Sequence, residues 1–308
     1  MSQTILVTGA AGGQQGSTGR LVTMHLLEQG FHVRAFVHKR DARSEELHKE
    51  GAEIFEGDLL NPASVLAAMN DVHRAYFTYP VQDGLLEAST IFAASASNVG
   101  VEFVVNNSQF QDTPEDPTFR DLRAAGSFRN MQHRLADRIF DWAKVETAHI
   151  QAPPYYENVR TLIRRSVAGQ DTVFLPWGDG GAIIPLAGAE DVARVAATLL
   201  ASSTIPAAKA YPLVTEALTA PQIVDALGKA IGRQIRYVPI ADEQWANAVK
   251  EYINPHALDH LTHLWQYFRN LKERRHVTNT VHEVTGRTAQ TLEEFFRANA
   301  ESFTVAKS

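Results

Sequence analysis

Apolar runs of strand length alternate with segments of helical period through the first half of the chain. Thr4-Ile5-Leu6-Val7 predicts a short buried strand, and Leu21 to Leu27 repeats its apolar positions along one helix face. Gly30 stops that helix, and Phe31 to Val37 predicts a second strand. A short helix over Glu45 to Gly51 leads to a third strand and its exit, Ala52 to Leu59. Asn61 and Pro62 open the next helix, Ala63 to Met69, as N-cap and first helical residue. Arg74 to Pro80 predicts a fourth strand with its loop, and Leu85 to Asn98 a helix ended by Gly100. Val101 to Val105 is the fifth strand, delivering Asn106, Asn107, Ser108 and Gln109 to its carboxyl end. A polar loop, Gln111 to Pro117, precedes a helix from about Ser127 to Trp142, and Thr147 to Gln151 is the sixth strand. Such alternation predicts an α/β fold, a Rossmann-type doubly wound parallel sheet with right-handed crossovers.

Past Ala152 the rhythm changes. Pro153-Pro154-Tyr155-Tyr156-Glu157-Asn158 breaks the strand and enters a new helix, and Leu175 to Gly181 reads as a loop. Thr219 with Gln222, and Thr291 with Glu294, have the spacing of capping boxes. The expected organisation is a nucleotide-binding unit over 1–152 and a smaller, mostly helical C-terminal substrate lobe over 153–308. An apolar helix, Asp191 to Leu200, marks a segment of about 183–205 that returns to the first unit.

Between the first strand and the first helix lies the glycine-rich stretch Gly9-Ala10-Ala11-Gly12-Gly13-Gln14-Gln15-Gly16-Ser17-Thr18-Gly19. Glycines there permit a tight turn and let backbone N–H groups approach a pyrophosphate at the positive end of a helix. The gap from Gly9 to Gly16 is seven steps, four more than the extended short-chain fingerprint requires, so the preferred register carries an insertion within Ala11 to Gln15. The other register, Gly9-x-x-Gly12, sets Gln15 at the third glycine. Gly9, Gln15, Gly16, Ser17 and Thr18 are the candidate phosphate-binding residues.

The second strand ends in His38-Lys39-Arg40, with Arg34 and Arg43 nearby, and Asp41 comes too late to be the acid that binds an NAD ribose. Cations favour a 2′-phosphate, so NADP(H) is expected over NAD(H). Asp58, with Leu59 beside it, is a candidate for the adenine, or a turn aspartate. Thr78, Tyr79 and Pro80, and Asn107 with Ser108, fall at strand ends where ligands of open parallel sheets sit.

Composition narrows the function. Of 308 residues, 44% are hydrophobic and 21% charged, enough to bury a core. The net charge of −6 gives no general attraction to nucleic acid. The absence of cysteine excludes disulfides, zinc–thiolate sites and thiol catalysis. A strand that starts at once leaves no room for a signal peptide, and no apolar run spans a bilayer, so a cytoplasmic protein with no membrane partner is expected. Asn106-Asn107-Ser108 matches a glycosylation sequon, discounted at a buried strand end.

These motifs together resemble the NmrA-like family, an atypical branch of the short-chain dehydrogenase/reductase superfamily. The carriers are Thr8-Gly9-Ala10 with Gly16-Ser17-Thr18-Gly19-Arg20, then Gly57-Asp58-Leu59, and Val105-Asn106-Asn107-Ser108-Gln109. Further carriers are Gln132-His133 before Asp141-Trp142, Tyr156-Glu157-Asn158, and Val284-Thr285-Gly286-Arg287. The resemblance implies either an NADPH-dependent oxidoreductase of a small conjugated substrate (quinone, azo compound or similar) or an NADP(H)-sensing regulator with little or no turnover. The protein is expected to be a monomer or homodimer, with a protein partner if it is a regulator. Typical superfamily members use Tyr-x-x-x-Lys on the helix after strand five, where this chain has Arg129 and His133.

With that tyrosine missing, His133, Tyr156 and Ser108 are the catalytic candidates, and His133 is also placed near the nicotinamide ribose. Gln109 and Asn107 can bind a carbonyl or azo group. Tyr79, Trp177 and Trp265 are candidate aromatic walls, with core packing as the alternative for each. No flavin is required, because NADPH supplies hydride itself. His256, His260 and His263 share a helix face, but no metal-hydrolase motif accompanies them, and no metal is expected.

Overall fold

The computed structural model describes residues 3–13, 16–80, 82–110, 128–270 and 276–304, with backbone alone at 128–130. The buried strand β1 (Thr4–Val7) is followed by α1 (Thr18–Glu28), β2 (His32–Val37), α2 (Ala42–Lys49), β3 (Glu53–Glu56) and α3 (Pro62–Ala68). Then come β4 (Val72–Phe77), α4 (Leu85–Val99), β5 (Phe103–Gln109), α5 (Phe128–Trp142) and β6 (Glu146–Ala152). Further on lie α6 (Tyr156–Gln170), β7 (Thr172–Leu175), β8 (Ile183–Leu186), α7 (Ala189–Ala201) and β9 (Ala210–Pro212). The chain continues through β10 (Glu216–Thr219), α8 (Ala220–Ile231), β11 (Arg236–Pro239), α9 (Asp242–Val249), α10 (Pro255–Asn270), α11 (Thr280–Thr285) and α12 (Leu292–Ala298).

Seven of these strands form one parallel sheet in the order β3-β2-β1-β4-β5-β6-β9, with Thr4 of β1 opposite His32 and Val7 opposite Tyr76. The order reverses at β1, which makes the gap between the carboxyl ends of β1 and β4 the topological switch point. Two apolar layers cover the sheet. One face packs Val22 and Leu26 of α1 with Val192, Ala196 and Leu200 of α7; the other packs Val65 of α3, Phe92 of α4 and Phe140 of α5. A third cluster joins Val159 and Ile163 of α6 to Trp177, Trp245, Trp265 and Phe296.

Local chemistry explains the boundaries. Asn61 accepts from the N–H groups of Ala63 and Ser64, and both expected capping boxes form, on Thr219 and on Thr291. The later part of the chain is less helical than its sequence suggests. β8 pairs antiparallel with β10, and β7 pairs in parallel with β11. β9 joins the main sheet beside β6, too short and too close to a proline to show an alternating pattern.

The start of α1 is set by contact with β1. A β-carbon on Gly19 would lie 2.3 Å from the Thr8 carbonyl oxygen and 2.7 Å from Gly9. Gly19→Ala is therefore expected to destabilise the fold by about 3 kcal/mol. At Gly13, a β-carbon meets nothing within 4 Å, and alanine there should stay within about 0.5 kcal/mol of the parent. Urea unfolding of the two variants checks the contrast.

Candidate active site

The glycine loop turns at Gly9, whose φ is +63° and whose carbonyl accepts from the Gly12 N–H at 3.0 Å. Gly13 folds back on Ser17, whose hydroxyl donates to the Gly13 carbonyl (2.7 Å) and accepts from its N–H (3.2 Å). Gln14 and Gln15 lie outside the described residues. Gly19 makes the close helix–strand approach that the third glycine of such fingerprints makes, the arrangement of the register that runs through Gly16. Ser17 stands at the N-cap of α1 without capping it, and the first turn carries no acid. Its N–H groups and the positive helix end suit an anion.

Beside this helix end, hydrogen bonds stitch the switch point. The Thr8 hydroxyl donates to the Thr78 carbonyl (3.0 Å) and accepts from the Thr78 N–H (2.8 Å), holding β1 and β4 together where their ladder ends. The buried Tyr76 hydroxyl donates to Thr18 (2.9 Å). The Asn107 amide reaches Thr18 and Thr78 (both 3.3 Å) and the Tyr155 hydroxyl (3.1 Å). The Tyr155 ring lies against Gly16, where a β-carbon would come within 2.4 Å of it. Burial pushes the Tyr155 phenol up to about 12, so it holds its proton at neutral pH.

The expected cations separate. His38 and Lys39 are exposed at the end of β2. Arg40 turns toward β3, donating to the Ile54 carbonyl at 2.9 Å, and Arg34 is taken up by Glu53 and the carbonyls of Ala68 and Asn70. Arg43 instead reaches the glycine loop, donating to the Gly12 carbonyl at 3.0 Å while its other nitrogens pair with Asp41. Asp58 is exposed and accepts from the Leu60 N–H at 2.9 Å, so one of its oxygens serves a turn; Leu59 packs beside it at the edge of the core. Tyr79 donates to the Asp83 carbonyl, and Pro80 is exposed.

On the β6 side of the switch point lies a pocket. Gln109 and His133 line it together with Pro153 and Pro154, and Phe110, after β5, with Tyr267 and Phe268 of α10 supplies its aromatic part. Trp177 and Trp265 do not: each is 1% exposed, and their rings meet edge to face at 5.3 Å inside the third cluster. Their size and position among His, Leu and Phe suited either role, and the core took them.

Ser108 points away from the pocket toward α5. Its hydroxyl donates to Asp137 at 2.8 Å, and the Asn106 amide donates to the other oxygen of Asp137 at 2.9 Å. Asn106 is only 3% exposed, which removes the sequon as a modification site. His149 of β6 stands 3.4 Å from Asp137 and 3.2 Å from Asp141. Burial alone would lower the His149 pKa, but hydrogen bonds to the two carboxylates outweigh it and hold it up at about 9.

Over residues 1–296 the chain matches the profile of the NmrA-like family. It belongs to that family. An NAD(P)H azoreductase of Xenophilus azovorans is 27% identical, covering 98% of this chain and 100% of the azoreductase. An NADPH-dependent quinone oxidoreductase of Escherichia coli, solved with NADPH, has a TM-score of 0.79 at 19% identity, covering 96% of this chain and 99% of that one. NmrA itself, a negative transcriptional regulator solved with NADP, has a TM-score of 0.75 at 18% identity, covering 96% and 94%. The structures share the fold of this NmrA-like chain.

In this NmrA-like chain the Tyr156-Glu157-Asn158 element is a structural joint. Tyr156 is fully buried, and its hydroxyl donates to Glu216 at 2.7 Å and contacts Thr215 at 2.9 Å. Burial, then the neighbouring Glu216, pushes its phenol far up; buried and bonded to Glu216, Tyr156 is a core residue and not the catalytic group its sequence position suggests. Glu157 accepts from the Ala189 N–H at 3.2 Å, at the start of α7. The histidines of α10 also go separate ways: His256 faces Asp83 at 3.6 Å, His260 is buried, and His263 contacts its own helix at the Asp259 carbonyl. Among the described residues no group of three or more ligand-type side chains could hold a metal, and no helix is long and apolar enough to cross a membrane.

The His149 cluster makes stability depend on pH. The imidazole titrates near 6.5 unfolded and near 9 folded, so the folded state binds the extra proton, and that stabilisation is full below 6.5 and lost as pH rises through 9. Asp141 acts oppositely: the hydrogen bond to His149 lowers its pKa, and that contribution is lost as pH falls through the lowered value. His149→Gln should remove a decline on the order of 3 kcal/mol between about pH 6.5 and 9. Urea unfolding of both proteins across that range checks it.

Proposed function

We propose that the chain is an NADPH-dependent oxidoreductase that reduces a small conjugated substrate, a quinone, azo compound or similar, by direct hydride transfer. The observation that carries the reading is the junction of an uncapped, acid-free helix end at the switch point with a pocket lined by Gln109, His133, Tyr267 and Phe268. The azoreductase and quinone oxidoreductase among its relatives support it.

Gly9, Gly16, Ser17 and Thr18 would hold the pyrophosphate, Lys39 and Arg43 the 2′-phosphate, and Thr78 and Asn107 the nicotinamide side. When bound, the reduced nicotinamide supplies hydride without a flavin. The chain's own groups do the rest. Gln109 orients an acceptor oxygen or nitrogen, Tyr267 stacks on a flat substrate while the buried Phe268 behind it excludes water, and His133 presents a proton at the pocket wall. His133 thus takes over the donor role that Tyr-x-x-x-Lys has in typical superfamily members.

The regulator reading keeps one support: the NADP-bound transcriptional regulator of the same fold. NADPH oxidation across a panel of quinones and azo dyes decides. Turnover supports the enzyme; tight NADPH binding with no turnover of any acceptor supports the sensor.

Two outcomes are expected beyond turnover itself. NADPH should bind more tightly than NADH, and Lys39→Ala with Arg43→Ala should weaken NADPH roughly tenfold per lost phosphate contact while leaving NADH nearly unchanged. Titration calorimetry measures both. His133→Gln should keep NADPH affinity yet lower kcat, with loss of the alkaline limb of the pH–rate profile, where the donor would lose its proton. Equal kcat in parent and variant would remove His133 from the chemistry.

A further inference from the structure

Arg134 of α5 lines the pocket next to His133 and is half-buried there. Among the described residues it makes no hydrogen bond and no ion pair. The next arginine on each of the two helices that wall the pocket is paired. Arg138, one turn further along α5, meets Asp141 at 3.3 Å, and Arg269 of α10, beside Phe268, meets Asp242 at 2.6 Å. Asp137 stands three residues after Arg134, a spacing at which helix side chains can pair. It turns to the strands instead, where the Asn106 amide and the Ser108 hydroxyl donate to its two oxygens. No carboxylate lines the pocket among the described residues. The chain as a whole carries a net charge of −6, so Arg134 is a local cation and not part of a generally basic surface. A guanidinium partly withdrawn from water without a partner costs free energy, and a bound anion removes that cost.

We propose that Arg134 makes the pocket selective for conjugated acceptors that carry a carboxylate or sulfonate. The inference rests on the reductase reading. A flat acceptor stacked on Tyr267 presents its acceptor oxygen or nitrogen to Gln109, and its anionic substituent meets the guanidinium. Carboxylate and sulfonate each offer at least two oxygens to the planar fork of an arginine, a geometry that a lysine ammonium does not reproduce. Arg134 acts on the substituent and not on the atom that takes hydride. Its contribution therefore falls on the binding of anionic acceptors, and it is a specificity-determining residue outside the hydride and proton chemistry.

The test compares charged and uncharged forms of one acceptor. Naphthoquinone is run against its sulfonate and its carboxylate, and the azo dye dimethylaminoazobenzene against its sulfonate, methyl orange. The ratio of kcat/KM for the charged over the uncharged form is measured in the parent, Arg134→Gln and Arg134→Lys. Intrinsic reactivity differs between acceptors but is the same in every protein, so it cancels when the ratios are compared. The ratio should fall about tenfold or more in Arg134→Gln, through KM, and by less in Arg134→Lys. A fall on both anions, or on one of them alone, supports the site and names its anion. NADPH affinity should stay within about twofold of the parent. A second readout needs neither cofactor nor turnover: naphthalene sulfonate, which accepts no hydride, should bind Arg134→Gln about tenfold more weakly than the parent in titration calorimetry. An unchanged ratio in Arg134→Gln, equal losses on charged and uncharged acceptors, or a loss of NADPH affinity in place of acceptor selectivity overturns the inference. A parent that binds NADPH but reduces no acceptor removes the reductase reading. Naphthalene sulfonate then decides Arg134 alone: weaker binding to Arg134→Gln upholds the anion site, and equal binding overturns it.

Discussion

A backbone contact between Gly19 and the Thr8–Gly9 peptide decides where α1 begins, and the site is built outward from it. With no side chain between them, helix and strand touch, and the N–H groups of the first turn open toward the end of β1. Thr18 then falls within reach of Tyr76 and Asn107, and Gly16 falls against the Tyr155 ring. Helix α7 packs on α1 from the same side, and its N-terminus is met by Glu157. Displacing α1 would therefore disturb the glycine loop, the switch-point hydrogen bonds and the joint with α6 together. Gly13, before the two residues outside the described chain, closes on Ser17 beside this contact.

Much of the parallel sheet was legible because its central strands are buried on both faces and read as unbroken apolar runs. Helix starts were legible where a side chain caps them, as at Asn61, Thr219 and Thr291. The later strands were not. β7, β8, β10 and β11 have four residues each, and β9 three, too few to show a period.

At the site, what could be read was the strand end on which a residue sits; what could not was the direction of its side chain. Tyr155 and Tyr156 are adjacent at the start of α6, and only the geometry of the helix entry sends one to Asn107 and the other into the core. Arg40 sits where a phosphate-binding cation is expected but finds the Ile54 carbonyl first, while Arg43, one helical turn further on, folds back to the glycine loop. Tyr267 and Phe268 come from a helix more than a hundred residues after the strands they face, a distance no local pattern spans.

The acid–base groups show the same principle from the side of energetics. Asp137 and His149 are invisible as a pair in the sequence, one on an amphipathic helix and the other in the middle of an apolar strand. The pairing of β5 with β6 puts Asn106 opposite His149, and α5 lays Asp137 across both. Each charge is tolerable in the interior only because the others are there, so removing any one leaves a buried charge uncompensated. His133, Asp137 and Asp141 thus lie along one face of α5, and the two carboxylates of that face are held by the strands, Asp137 by Asn106 and Ser108 and Asp141 by His149.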